Sequence, residues 1–213
     1  GHARYLVIPN TDAMVDNTDE PAFLAGADGV FTENWQVMLA SPGDWNLSSR
    51  RIVQYVTGTG KVWVSDVTTP GTSLSASERA LLIGTYLLIR NGTSYIMFGG
   101  DDVTWYPEYE IDLGAYVSDP PANIETLRVA GTGAGSGGLY RRDYVRGVVL
   151  VNSSNQQLST TLASAMKRAA WSGGGAVSSS GVEPSRTLTY TADVPAGTVN
   201  VPAQSVMVLR DPA

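Results

Sequence analysis

Asn10 and Asp12, Glu33 and Asn34, Asp66, and the pair Asp101 and Asp102 each stand immediately after a short apolar run. A carboxylate at the mouth of an apolar strand loses water, which raises its pKa toward that of a general acid unless hydrogen bonds oppose the effect. Two such groups on one face can divide the roles of acid and of nucleophile or base. Cleavage of a glycosidic bond requires such a pair, at about 5 to 5.5 Å for retention or about 6.5 to 9.5 Å for inversion. Taken singly, each of these acids is more often a loop cap or a surface charge. Their recurrence after successive runs is the informative feature. Glu33 stands out because Val30, Phe31, Glu33, Asn34 and Trp35 combine an apolar strand, an acid, an amide and an aromatic ring. Glu33 and Asp66 are the candidate catalytic pair, with Asn10, Asp12, Asn34, Asp101 and Asp102 as candidate substrate ligands.

Aromatic rings beside these acids matter because sugar rings present apolar C–H faces that stack on indole and phenol groups. Trp35, Trp105 and Tyr106 are the candidate platforms. The stretch 105–110 is dense in aromatics and acids, and reads either as a substrate loop or as packing against the second half of the chain. Trp45 and Trp63 fall within patterned elements and read as core. Asp28, at the opposite end of its strand from Glu33, reads as structural.

The elements that must position these residues alternate. Four apolar runs, 5–9, 27–34, 61–66 and 94–98, read as buried strands. A brief helix fits 20–26 and a longer one 44–56. A third helix starts at Ser75 or Ser77, has Glu78 in its first turn, and ends at Asn91-Gly92. It is apolar nearly all round, so both of its sides must be covered. Four successive βα units predict a parallel sheet with every strand's C-terminal end on one face.

After Ser118-Asp119-Pro120-Pro121 the period changes. Stretches 140–151, 186–191, 199–201 and 205–210 read as short strands between Gly, Ser, Pro and Asn turns, and 158–170 fits a strand or a helix. The expectation is an α/β unit over residues 1–118 and a small antiparallel β-sandwich over 119–213.

Composition narrows the partners. With 14 Lys and Arg against 20 Asp and Glu the net charge is −6, and two lysines cannot build a basic face, so neither nucleic acid nor an anionic membrane is expected. Cysteine is absent and the single histidine is His2. A thiolate site, a Ser-His-Asp triad and a histidine zinc site are thereby disfavoured. Asp101-Asp102 falls short of a calcium ligand set, and the glycines of 131–138 follow no βα unit and carry no P-loop lysine, so no metal and no cofactor are expected. The longest apolar run, 80–89, is too short to span a bilayer. The chain reads as soluble, and secretion after removal of a leader is compatible with it. Triplets at Asn46, Asn91 and Asn152 match the glycosylation pattern, a weak signal without a secretory context.

DGVFTENW at 28–35, KVWVSD at 61–66, SERALLIGTYLLIRNGTSYIMFG at 77–99, YPEYEIDLG at 106–114, RGVVLVNSS at 146–154 and VPAQSVMVLR at 201–210 occur in an order that resembles the C-terminal portion of TIM-barrel glycoside hydrolases of a hypothetical glycosidase family. The resemblance implies α/β plus all-β architecture: half of a (β/α)8 barrel, made of four βα units, followed by a small antiparallel β-sandwich. It matches the four strands to strands five to eight, with Glu33 after the sixth and Asp66 after the seventh. A whole barrel takes about 200 to 250 residues, so the first four units are missing. Either the chain is a fragment, or two copies join their half barrels through the open edges into a homodimer. The implied partner is carbohydrate. The alternative is a noncatalytic half barrel that dimerises and at most binds glycans. A third reading places sugar on the β-sandwich, through Tyr140, Tyr144, Trp171 and Tyr190.

Overall fold

The computed structural model describes residues 5–15, 20–67, 73–99, 103–133 and 137–212. Strands β1 (Gly29–Thr32), β2 (Val62–Asp66) and β3 (Ser94–Met97) form a parallel sheet in the order β1-β2-β3. The extended segment 7–11 runs parallel to the free side of β1. Asp28 N donates to Val7 O, Phe31 N to Pro9 O and Thr11 N to Phe31 O, all at 2.8–2.9 Å. Helices α1 (Glu20–Leu24), α2 (Pro42–Tyr55) and α3 (Ala76–Ile89) lie in the crossovers.

Local sequence explains the helix starts. Ser41 caps α2 by accepting from Asp44 N at 3.1 Å, with Pro42 in the first turn. Ser75 and Glu78 close a reciprocal capping box on α3: Glu78 N donates to Ser75 Oγ at 3.2 Å and Ser75 N donates to Glu78 Oε2 at 2.8 Å.

The strand period divides the sheet into two faces. Val30, Thr32, Trp63, Ser65, Ser94 and Phe98 point toward the helices and are buried. The opposite face carries Phe31, Val62, Val64, Tyr95 and Met97, in register across the strands, and is far more open, with Tyr95 60% and Met97 38% exposed. Beneath the helices, Trp35 and Trp63 meet edge to face at 4.9 Å. Each buried indole N–H there finds a hydroxyl: Trp35 to Ser48 (3.1 Å), Trp45 to Thr85 (2.9 Å) and Trp63 to Thr32 (3.0 Å).

Two expectations about these elements need correction. The run 5–9, read as buried, leaves Tyr5 86%, Leu6 62% and Val7 58% exposed, because it forms the sheet's outer edge. The fourth unit has no helix among the described residues. After β3 comes β4 (Thr104–Trp105) and a 3₁₀ turn, Pro107–Glu110.

The second half is antiparallel. Strands β5 (Arg128–Ala130), β6 (Leu139–Tyr144), β7 (Gly147–Asn152), β9 (Met166–Gly173), β11 (Arg186–Val194) and β13 (Ser205–Arg210) form one sheet, in the order β11-β9-β13-β7-β6-β5. Strands β8 (Leu158–Leu162) and β12 (Gly197–Val201) pair separately. Leu139, Val148, Leu150, Leu162, Val199, Val201 and Leu209 share one buried cluster between them. The stretch 158–170, open between strand and helix, is thus two strands.

Helix α3 supplies the join. Tyr86 contacts Trp63 on one side. On the other, Gly84 lies against Val206 of β13 and Val151 of β7, so close that an added Cβ would stand 2.9 Å from Val206 Cβ. Arg142 of β6, 3% exposed, donates to the carbonyls of Leu87, Leu88 and Arg90 at 2.6–3.3 Å and so caps the helix C-terminus. One buried cluster runs from Val30 through Leu82 to Val149 and Val208, across the connection at 118–121. Asn46, Asn91 and Asn152, the asparagines of the three glycosylation-like triplets, are all buried and hydrogen-bonded.

Candidate active site

Glu33 continues β1 by one step and has the parity of Gly29 and Phe31, so it belongs to the open face. Thr32 is level with Ser65. One step on, Glu33 is therefore level with Asp66, and Asp66 is level with Met97. Asn10 bridges to Phe31 and its Nδ2 donates to Glu33 Oε2 at 2.7 Å. The same side chain's Oδ1 accepts from Asp12 N at 3.0 Å. Asn10, Glu33 and Asp66 thus stand at the C-terminal ends of three neighbouring parallel segments, on one face.

The backbone here is unusual. Asp12, Met14 and Asn34 have φ of 52°, 58° and 54°, the left-handed region that side-chain-bearing residues seldom occupy. Asn34 is the N-cap residue of the 3₁₀ turn Trp35–Ala40, and this conformation turns the chain sharply after Glu33. Strain of this kind is kept where surrounding packing enforces it, frequently at functional sites.

The aromatic candidates separate. Trp35, expected as a sugar platform, is 0% exposed; its ring is spent on Trp63 and its N–H on Ser48, so it holds the turn after Glu33 from below. Tyr106 packs edge to face on Phe98 at 5.9 Å beneath the Arg79 guanidinium, 4.4 Å from the ring centre. Trp105 keeps 37% exposure. Its N–H donates to Glu110 Oε1 at 3.2 Å, Arg186 lies 5.4 Å over its ring, and β4 pairs with β10 (Gly175–Ala176). The stretch 105–110 therefore packs against the second half of the chain. Asp101 and Asp102 lie outside the described residues. Of the rings proposed for a sugar site on the second half, Tyr140 (0%) and Tyr144 (5%) are buried.

Electrostatics around the loop are set by hydrogen bonds. Arg186, and then the Trp105 indole, hold the Glu110 carboxyl below the usual carboxylate range. Burial pushes the Tyr109 phenol up to about 12, so it stays neutral. Met97, level with Asp66, and Tyr95, on the same face but level with Val64, were not singled out from the sequence. The alternation Ser94, Ile96, Phe98 against Tyr95, Met97 was the available signal. Among the described residues no group of three His, Cys, Asp or Glu could hold a metal ion, and no helix is long and apolar enough to cross a membrane.

A mixed α/β protein with polar and acidic residues at the C-terminal ends of parallel strands belongs to a broad class of site-bearing sheets. Family comparison narrows it. Residues 3–148 match the model described as hypothetical glycosyl hydrolase family 15, and the chain belongs to that family. No curated protein matches the sequence. Among solved structures, a GH30 endoxylanase from Clostridium papyrosolvens is similar at 11% identity and a TM-score of 0.32, over 94% of this chain and 52% of that one. An alpha-amylase from H. orenii is similar at 14% identity and a TM-score of 0.40, over 97% and 53% respectively. The chain spans about half the length of these structures.

Proposed function

We propose that this chain is one half of a (β/α)8-type barrel with an appended β-sandwich over 119–213, and that it acts on glycosidic bonds through Glu33 and Asp66. The observation that carries the reading is the register: both acids fall on the open face, at one level, on neighbouring strands. Parallel strands lie about 4.8 Å apart, which favours the shorter carboxylate separation and hence retention. One carboxyl would protonate the departing oxygen while the other attacks the anomeric carbon; water then releases the sugar, deprotonated by the first. Asn10 holds one Glu33 oxygen, leaving the second to act. Asp12, Asn34, Asp101, Asp102, Trp105 and Tyr106 are the proposed sugar contacts.

Assays on aryl glycosides and polysaccharides test this. Glu33→Gln should lower the rate by two or more orders of magnitude, on the order of what loss of an acid–base group costs. Equal rates for both proteins would remove Glu33 from the mechanism.

A second reading, a noncatalytic assembly that binds glycans, is favoured by one observation: Phe31, Val62, Val64, Tyr95 and Met97 form a sheet face that, among the described residues, no element covers as the helices cover the other. Bare apolar faces and strand edges invite partners. Along 5–9, Val7 and Pro9 bond to the β1 side, so the main-chain groups of Leu6 and Ile8 face outward among exposed apolar side chains. A second copy would seat on this edge and on the open face. Light scattering should return a dimer; a protein that stays monomeric at high concentration overturns the homodimer.

A further inference from the structure

Asn91-Gly92 is the one Asn-Gly pair in the chain; every other asparagine precedes a residue with a Cβ. The main-chain nitrogen that follows an asparagine can attack its Cγ, and glycine, with no Cβ to crowd that approach, permits it best. The new N–C bond closes a five-membered imide, the Cγ–Nδ2 bond breaks, and Nδ2 leaves as ammonia with the proton from Gly92 N. Water then opens either imide carbonyl, giving aspartate or isoaspartate. The net change turns an amide and water into a carboxylic acid and ammonia, and no other reactant is needed.

The fold does not require glycine at 92. Gly92 φ lies outside the left-handed region, and an added Cβ would meet only Tyr116 Oη, at 3.8 Å. Gly92 and Thr93 are exposed and border a cavity of about 320 Å³ whose walls include Thr57 and Tyr116, so water reaches the peptide that would react. Asn91 itself is held, at 6% exposure. Its Nδ2 donates to Lys61 O at 2.8 Å and to Thr57 O at 3.2 Å. Its Oδ1 accepts from Thr93 N and Ser94 Oγ at 2.9 Å and from Thr93 Oγ1 at 3.1 Å. Attack at Cγ and departure of Nδ2 require the amide to give up these partners, so the closed structure opposes the reaction.

The same bonds determine what the product does. Through Asn91 the end of α3 is tied to the 3₁₀ turn Thr57–Thr59, to the residue before β2 and to the start of β3. A carboxylate accepts hydrogen bonds and donates none. After conversion, Thr57 O and Lys61 O would lose their shared donor and face a negative charge in a nearly closed site. That arrangement destabilises the folded chain and leaves the opened one untouched.

We infer that Asn91-Gly92 is a spontaneous deamidation site, shut while the sheet is closed and reactive when the end of α3 opens, whose product keeps the opened chain from closing again. The inference is independent of the proposed function. Ageing of the whole chain in mildly alkaline buffer, followed by peptide mapping in a mass spectrometer, tests it. In urea, Asn91 should convert ahead of every other asparagine, and Gly92→Ala should slow it severalfold. Without urea, conversion at Asn91 should fall at least about tenfold, because only opened molecules react. The converted fraction, returned from urea to buffer, should fail to regain the original urea midpoint, and Asn91→Asp should show the same loss. Gly92→Ala aged alongside should regain its midpoint. Equal rates with and without urea, no slowing by Gly92→Ala, or a converted chain that refolds with the original midpoint each overturn the inference. Should Gly92→Ala fold poorly, its rate in urea, where folding plays no part, still reads the effect of the glycine.

Discussion

Hydroxyls decide how the tryptophans behave. Thr85 Oγ1 accepts from Trp45 Nε1 at 2.9 Å and donates to Leu81 O at 2.7 Å, so one small side chain satisfies a buried indole and ties it to α3. Thr85→Val keeps the shape and removes the acceptor. The stranded N–H should cost about 1–2 kcal/mol, read as a lower urea midpoint at unchanged slope. Trp35 shows the limit of residue-level reasoning. Its position after Glu33 suggested a platform, yet the ring turns under the sheet because Asn34 takes the left-handed conformation (φ 54°). Side-chain type was readable there; direction was not.

At the scale of elements, α3 is the piece on which both halves depend. Its apolar character all round was plain from 80–89, and the requirement for cover on two sides holds: Trp63 lies toward one, Val206 and Val151 toward the other. What the pattern did not reveal is why position 84 is glycine. Alanine there would gain up to about 1 kcal/mol in helix propensity, but its Cβ would run into Val206, a stiff β-branched neighbour. Overpacking costs about 1–3 kcal/mol, so Gly84→Ala should lower the melting temperature despite the better helix former. Arg142 offers a second check on the same joint. Arg142→Met removes the donor shared by three buried carbonyls and should cost on the order of 3 kcal/mol. Arg142→Lys should recover little of it, because an ammonium cannot reproduce the planar fork.

Over the whole molecule, carboxylates tie the loops down. Hydrogen bonds from Ser75 lower Glu78, Arg186 lowers Glu110 and Arg146 lowers Asp112. Burial works the other way on Glu125, where bonds from Arg128 and Asn46 prevail and its pKa is lowered too. Groups lowered in the folded state bind fewer protons there than in the unfolded chain. Their contribution is full above the ordinary carboxylate value of about 4 and is lost as the pH falls through the lowered folded values. Urea midpoints should hold between pH 7 and 5 and drop below about pH 4, with the drop shallower in Glu125→Gln. Because one buried cluster crosses residue 118, a single unfolding transition is expected by calorimetry; two resolved transitions would mean that the halves unfold independently.

Periodicity and turn chemistry were enough to place the parallel strands, the capped start of α3, the change to antiparallel strands and the acids after β1 and β2, since each is a local property of a few consecutive residues. The 5–9 run shows where this stops: apolar residues alone cannot tell an inner strand from an edge, and Tyr5 and Leu6 lie open to water because of what does not pack beside them. Likewise the level pairing of Glu33 with Asp66, the enclosure of Asn91 and the passage of one core across the two halves arise from contacts between residues far apart in the chain. Such contacts are fixed by how packed elements meet, and no spacing along the sequence encodes them.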